Sequence, residues 1–350
     1  MRAGIRPRPW AGLDIGSYSV KLIAARGSLG RSRYWISEAL FPPSNGGPAG
    51  PQTVARVVEA CMEQAGLAPR SVRGVTLGVS GPDVIVKPIT LPLMQEEEIG
   101  PALRFEARKH LPFDPQAMVI DYQVLERQPS ERRLEVLLAA VSQQNLEQRL
   151  APLHLLGLDP DIVDATPLAL VNALAHEAEP AREACLVLDI GHASSHLALH
   201  QRGEPFFSRR LDFGGRTITQ AIAEGMGVTF EEAEERKVKA GTESSGVKVD
   251  WGTPEMSPVL ECLRRNLVEE VHHSLAFYRT MGNVPESLRL WISGGTARLP
   301  GLAAHLSELM ETPVLLFNPM ERLPGSPRGG QRPGVGPQFT QAFGLALRTA

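Results

Sequence analysis

Along this chain, short apolar runs closed by Gly or Asp-Gly turns are followed by longer stretches in which apolar residues recur every three or four positions. Gly12–Ala24 (GLDIGSYSVKLIA) is an apolar run ending in an Asp, a tight turn with small hydroxyl residues, and a second apolar run, which predicts a strand-turn-strand. Tyr34–Leu40 predicts another strand, Pro42–Pro51 a turn-rich loop, Gln52–Ala65 a helix ended by Gly66, and Val72–Ser80 a strand. This order suits an α/β layer with helices packed on a sheet. Residues 84–150 interrupt it with a strand, the acidic helix start Glu96–Glu98, an amphipathic helix, Leu-Pro-Phe and a further strand.

The second half opens like the first. Cys185–His200 (CLVLDIGHASSHLALH) is again strand, Asp, Gly turn and strand, and the turn at 201–204 leads into strand Phe206–Leu211. Helices follow at RTITQAIAEGMGV and TFEEAEERKVKAG, the second capped by Thr229 with Glu232 three residues on. Pro258–Tyr278 predicts one long helix whose stripe of Leu260, Leu263, Leu267, Val271, Leu275 and Tyr278 faces a core. Leu290–Leu302 predicts strand, Gly294-Gly295 and a helix start. Helix Leu302–Met310, strand Val314–Phe317, a mobile Gly/Pro-rich loop at Pro324–Pro337 and a closing helix complete the pattern.

The two Asp-Ile-Gly tripeptides lie 175 positions apart (189 − 14). Each turn exposes backbone N–H and hydroxyl groups fit to cradle phosphate oxygens. The adjoining Asp14 and Asp189 can hold a divalent cation, directly or through water. Two such hairpins half a chain apart predict a duplicated domain closing on one nucleotide from both sides. Lys21, on an apolar strand just past the first turn, calls for an anion, either a phosphate or a neighbouring carboxylate. Ser17 and Ser194 are turn residues placed to reach the same phosphates.

Bulk properties narrow the field. A chain of 350 residues has room for two lobes, and a net charge of −3 gives no reason to expect a nucleic-acid partner. Cys61, Cys185 and Cys262 are isolated thiols without a CxxC. The N-terminus lacks the apolar core of a secretory signal, and no apolar run reaches membrane-spanning length, so no direct membrane insertion is expected. Neither GxxxxGK[ST] nor a GxGxxG after a strand occurs. His192, His196 and His200 run along a strand rather than a helix face, which argues against a metal site.

The two hairpins resemble the phosphate-1 and phosphate-2 loops of the actin-like ATPase superfamily, and Leu290–Leu302 (LWISGGTARLPGL) resembles its adenosine loop. Leu91-Pro92, Glu96–Glu98, Phe105–Ala107, Pro112-Phe113 and Asp121–Leu125 are similar to the inserted segment of the type IV pilus assembly family PilM. Leu134–Ala140, Gly157–Asp164 and Leu168–Leu174 match that family as well. The resemblance implies an α/β, actin-like (ribonuclease H-like), duplicated bilobed fold with a small inserted α+β subdomain. Lobe 1 would be 11–82 and 151–182, the insert 83–150, lobe 2 183–215 and 286–350, and a helical subdomain 216–285. It implies ATP and Mg2+ in the cleft, with Asp14, Gly16, Ser17, Ser19, Lys21, Asp189, Gly191, Ser194, Gly214, Gly215, Gly294, Gly295 and Thr296 around the nucleotide. Asp14 and Asp189 would serve the metal. Glu234 and Lys237 would reach the ribose or adenine, although their spacing alone favours a surface ion pair.

The same resemblance implies a cytoplasmic scaffold of a type IV pilus machine, held at the inner membrane by partners. It would dock the N-terminal segment of a PilN-like protein in a groove involving the insert. A small-molecule kinase and an FtsA-like filament-forming protein are the alternatives within the superfamily. Two departures bear on turnover. His192 stands where the family's second loop usually carries Thr, and no Gln or Glu near Asp164–Leu168 is placed to orient a water. Binding with slow or no hydrolysis is expected.

Overall fold

In the computed structural model the description covers residues 8–26, 34–42, 49–177, 184–201, 204–242, 249–280, 288–323 and 336–348. Residues 43–48 of the expected loop Pro42–Pro51, 202–203 of the turn at 201–204 and 324–335 of the expected loop Pro324–Pro337 lie outside them. The chain begins with β1 (Trp10–Ile15), β2 (Ser19–Ala25), β3 (Tyr34–Leu40), α1 (Pro51–Gln64) and β4 (Gly74–Val79). An insertion follows: β5 (Ile85–Pro92), α2 (Glu96–His110), β6 (Met118–Gln128) and β7 (Arg133–Ser142). The chain then returns through α3 (Gln143–Leu155), β8 (Ile162–Ala165) and α4 (Thr166–Glu177).

The second lobe carries β9 (Ala184–Ile190), β10 (Ser195–Gln201), β11 (Glu204–Leu211), α5 (Gly215–Met226), α6 (Phe230–Ala240), α7 (Ser257–Leu263) and α8 (Glu269–Thr280). β12 (Leu288–Ser293), α9 (Leu302–Leu309) and β13 (Val314–Leu316) complete it, and α10 (Thr340–Leu347) follows. The two large sheets have the same order, β3-β2-β1-β4-β8 and β11-β10-β9-β12-β13. In both, the first three strands are antiparallel and the last two join in parallel. That identity is the duplication expected from the paired Asp-Ile-Gly turns. The insert is a separate sheet, β5-β7-β6, on which Ile99, Leu103 and Ala107 of α2 bury their apolar stripe.

Between the large sheets lie α4 and α10. Leu170 and Val171 of α4 and Phe343 of α10 form one core with Ile23 and Ile36 of the first sheet and Val187 and Ala198 of the second. Contact is close enough to demand glycine. A Cβ on Gly12 would come within 2.4 Å of the Ala346 nitrogen, and one on Gly344 within 1.8 Å of the Ala169 carbonyl. The expected single helix over Pro258–Tyr278 is instead α7, a π turn at Arg264–Val268, and α8. The reason lies in the stripe itself. Leu263, Leu267, Val271 and Leu275 are four apart, which drifts roughly 40° per step around a 3.6-residue helix. A wider turn cancels that drift and keeps Leu263, Leu267 and Val271 in the core.

Candidate functional site

Both Asp-Ile-Gly hairpins close in one way. The Gly16 amide donates to the Ser19 carbonyl at 3.1 Å, and the Gly191 amide to the Ser194 carbonyl at 3.1 Å. A Cβ on Gly191 would lie 2.7 Å from that carbonyl, so the turn requires its glycine. Because the lobes face each other, the tips meet. The Tyr18 and His192 rings are 5.0 Å apart between centroids, and both hairpins line one cavity of about 1470 Å³. Asp14, Gly16, Ser17, Ser19 and Lys21 line it from lobe 1, and Asp189, Gly191 and Ser194 from lobe 2. Glu234, Lys237, Gly294, Gly295 and Thr296 line it too.

The duplication extends to the charges. Asp14 lies opposite Lys21 across β1 and β2, with Nζ 3.7 Å from Oδ2. Asp189 lies opposite His196 across β9 and β10. Burial raises the Asp14 carboxyl pKa, while Lys21 and Arg149 pull it down. Burial also pushes Asp189 up to about 6; Gln341, whose Nε2 donates to Oδ2 at 2.6 Å, opposes this, and the like charge of Asp14 adds to it. Burial and the charge of Arg210 lower His196 to about 4, so a neutral ring stands where the first hairpin keeps a lysine. Lys21 thus has a carboxylate partner, one of the two expected alternatives. Ser19 gives its hydroxyl to Glu38 at 2.7 Å.

Gly214 and Gly215 open α5 beneath the second hairpin. The Gly215 amide donates to the Gly191 carbonyl and the Arg216 amide to the His192 carbonyl, both at 2.8 Å. A Cβ on Gly214 would sit 2.5 Å from the His192 carbonyl. Gly214 therefore acts through packing against the hairpin. Thr296 ties the expected adenosine loop to the same place, donating to the Gly191 carbonyl at 2.9 Å. Gly294 adopts φ +90° with Ile190 against it, and around Gly295 the nearest atom to an added Cβ is 3.9 Å away, leaving bare backbone at the cavity wall.

Glu234 and Lys237 do pair, at 2.7 Å, but at 18% and 10% side-chain exposure they are not a surface pair. Lys237 also donates to the Gly215 carbonyl at 2.9 Å and to Thr219 at 2.6 Å, so the pair fastens α6 to α5 at the cavity rim. Ser195, next to Ser194, is buried and donates its hydroxyl to the Phe213 carbonyl at 2.7 Å, so it is not available to a ligand. His192, His196 and His200 are dispersed along the hairpin, and among the described residues no group of three or more His, Cys, Asp or Glu is gathered for a metal.

Several lining residues escaped the sequence reading. Gln341 comes from α10, Arg149 and Asn145 from α3, and Glu38 from β3. An amide absent from the segment near Asp164–Leu168 is thus supplied by the last helix. The signal was faint: Gln341 is a polar residue in an otherwise apolar FTQAFGLAL, and Arg149 reads as an ordinary solvated position.

A family model described as type IV pilus assembly protein PilM matches residues 12–350. A PilM-PilN type IV pilus biogenesis complex aligns at TM-score 0.79 and 29% identity, covering 98% of both chains. The ethanolamine utilization protein EutJ from Carboxydothermus hydrogenoformans aligns at 0.56 and 15% over 97% of this chain and 90% of its own, a likeness of fold alone. Cell division protein FtsA from Bacillus subtilis is 26% identical over 179 residues, 47% of this chain and 40% of FtsA. The chain thus spans well under half the length of such curated relatives. Among the described residues no helix is long and apolar enough to cross a membrane.

Proposed function

The chain belongs to the PilM family of type IV pilus assembly proteins, and from that premise we propose that it is an ATP-binding, actin-like scaffold that docks a PilN-like partner. The observation that carries the nucleotide half is the meeting of two identically closed hairpins and the Gly294–Thr296 loop around one cavity. A cavity of about 1470 Å³ exceeds the usual few hundred to 1000 Å³ of small-ligand sites, so a nucleoside triphosphate fits. Asp14 and Asp189 are buried carboxylates that burial pushes toward protonation, and a magnesium ion, held directly or through water, would relieve both. Lys21 and the Gly16 and Gly191 turns would face the phosphates, Ser17 and Ser194 would add hydroxyls, and the bare backbone at Gly294-Gly295 would take the nucleoside. The metal, when bound, would neutralise phosphate charge. Turnover would be slow or absent, since His192 occupies the second tip and Gln341 is engaged by Asp189.

For the partner, the insert supplies an edge strand, β6, and exposed apolar side chains at Leu93, Phe105, Phe113 and Val119. An extended cytoplasmic segment of a PilN-like membrane protein would add to such a surface. Nucleotide would act by favouring the lobe arrangement that binds the segment better. The protein would then work in the cytoplasm, held at the inner membrane by that partner. Titration calorimetry tests both halves: MgATP uptake lost in Asp14→Ala, and binding of a peptide from the partner's N-terminus. Absence of adenine-nucleotide uptake by the intact protein would sink the reading, and strong ATP consumption stimulated by sugars or acids would mark a kinase.

A further inference from the structure

The chain leaves lobe 1 for the insert between β4 and β5 and returns where β7 runs into α3. The two crossings are joined side chain to side chain. Asp83 accepts from Asn145 Nδ2 at 2.7 Å and from the Ser142 hydroxyl, which also caps α3 by accepting from the Asn145 amide at 3.1 Å. Asn145 Nδ2 further reaches the Ser80 carbonyl at 3.3 Å. Gly81 makes room for this, since a Cβ there would lie 2.5 Å from Asn145 Nδ2 and 2.6 Å from Asp83 Oδ1.

One turn further along α3, Arg149 extends the network into the cleft. Its Nη1 donates to the Ile15 carbonyl at 2.9 Å, and its Nη2 to the Ser80 carbonyl at 3.3 Å and the Ser80 hydroxyl at 3.4 Å. Ile15 is the residue between Asp14 and Gly16. The guanidinium, half-buried, sits within the fields of Asp14 on the cleft side and Asp83 on the crossing side. On its other flank the insert touches lobe 2, where the Ser208 hydroxyl of β11 donates to the Val86 carbonyl of β5 at 3.1 Å.

We propose that Arg149 is a positioning residue that locks the first phosphate hairpin to both insert crossings, so that anion occupancy at Asp14–Ser19 is transmitted to the insert. This rests on the nucleotide reading above. The fork geometry of arginine is what the task needs: two carbonyls on different segments are held by one planar group, which the single ammonium of lysine cannot reproduce. Binding at the hairpin and orientation of the insert then share one rigid element, and a ligand that prefers one arrangement must bias the other by the same free energy.

Amide hydrogen exchange on the full chain, with nucleotide uptake measured separately by calorimetry, tests this. With MgADP, the wild-type protein should be protected at Asp14–Ser19 and also at Ser80–Val84, β5 and Ser142–Asn145. Arg149→Lys should bind MgADP within roughly tenfold and keep hairpin protection, while the protection of the crossings and β5 falls about fivefold or more. Asn145→Ala, which cuts the network at the crossing and spares the Ile15 bond, should lose the insert response in the same way. Retention of insert protection in both variants overturns the proposal, as does a wild type whose nucleotide protects the hairpin alone. If the wild type takes up no nucleotide, the parent reading has failed. The ligand-free comparison then decides the coupling: Arg149→Lys should speed exchange at Gly16–Ser19 and Ser80–Val84 together, leaving β9 and β10 unchanged, and unchanged exchange at the first two overturns it.

Discussion

Tyr18, at the tip of the hairpin of lobe 1, meets His192, at the tip of the hairpin of lobe 2, with ring centroids 5.0 Å apart and planes tilted by 38°. The contact joins the two hairpin tips, and both rings line the cavity that Asp14 and Asp189 also line. Burial and the nearby charge of Lys237 keep the imidazole below its usual pKa against the pull of Glu234, while Arg216 and Lys21 add to the lowering, so the ring is neutral at pH 7. A ring pair of this kind is worth about 0.5–1.5 kcal/mol. Tyr18→Ala or His192→Ala should therefore speed dissociation of a fluorescent ATP analogue roughly two- to tenfold, and His192→Phe should restore the wild-type rate in stopped-flow measurements.

Two adjacent glycines should behave oppositely. Gly294 holds φ +90° with the Ile190 carbonyl 2.4 Å from an added Cβ, whereas around Gly295 the nearest atom is 3.9 Å away. Gly294→Ala should cost about 1–3 kcal/mol in denaturant unfolding. Gly295→Ala should leave stability unchanged and weaken adenine-nucleotide binding alone. Equal loss of stability in both would contradict the proposed role of this loop.

Lys21 and Asp14 form a cycle that separates stability from binding. Lys21→Met leaves the Asp14 carboxylate buried with only Arg149 to offset it, and should destabilise the empty protein by about 2–4 kcal/mol. The double variant with Asp14→Asn should recover most of that loss in unfolding experiments while still failing to take up MgATP.

His200 should govern part of the acid sensitivity. It is 2% exposed, neither ring nitrogen has a hydrogen-bond partner among the described residues, and burial lowers its pKa to about 4. The folded protein therefore keeps the ring neutral, while the unfolded chain takes up a proton below about pH 6.5. Its contribution to stability is fully present above pH 6.5, falls as pH drops, and flattens near pH 4. The loss should total at most roughly 3 kcal/mol. His200→Leu should remove this share of the slope in unfolding curves collected between pH 7 and 4, leaving the like share of buried His196.

Much of the arrangement was legible because glycine and aspartate leave strong marks. The hairpins, the Gly294 turn and the Thr229 capping box are set by local backbone demands, and each lies where the pattern put it. The equivalence of Lys21 and His196 was also readable, both standing seven residues past their Asp, but it acquires meaning only once the strands pair. Arg149 and Gln341 were hidden for a physical reason. Their partners, Ile15 and Asp189, lie more than a hundred residues away, and a helix face carries no local trace of what a distant segment will bring to it. The π turn was concealed in plain sight, as a four-residue repeat slightly too long for an α-helix.

The seating of α10 against β1 has a consequence for biogenesis. Gly12 emerges from the ribosome about 330 residues before the Ala346 backbone that covers it, an interval of tens of seconds at ordinary translation speeds. Until then the earliest strands have one uncovered apolar flank, so the nascent chain is a natural client for chaperones. A stalled or truncated product should aggregate rather than persist as half a protein.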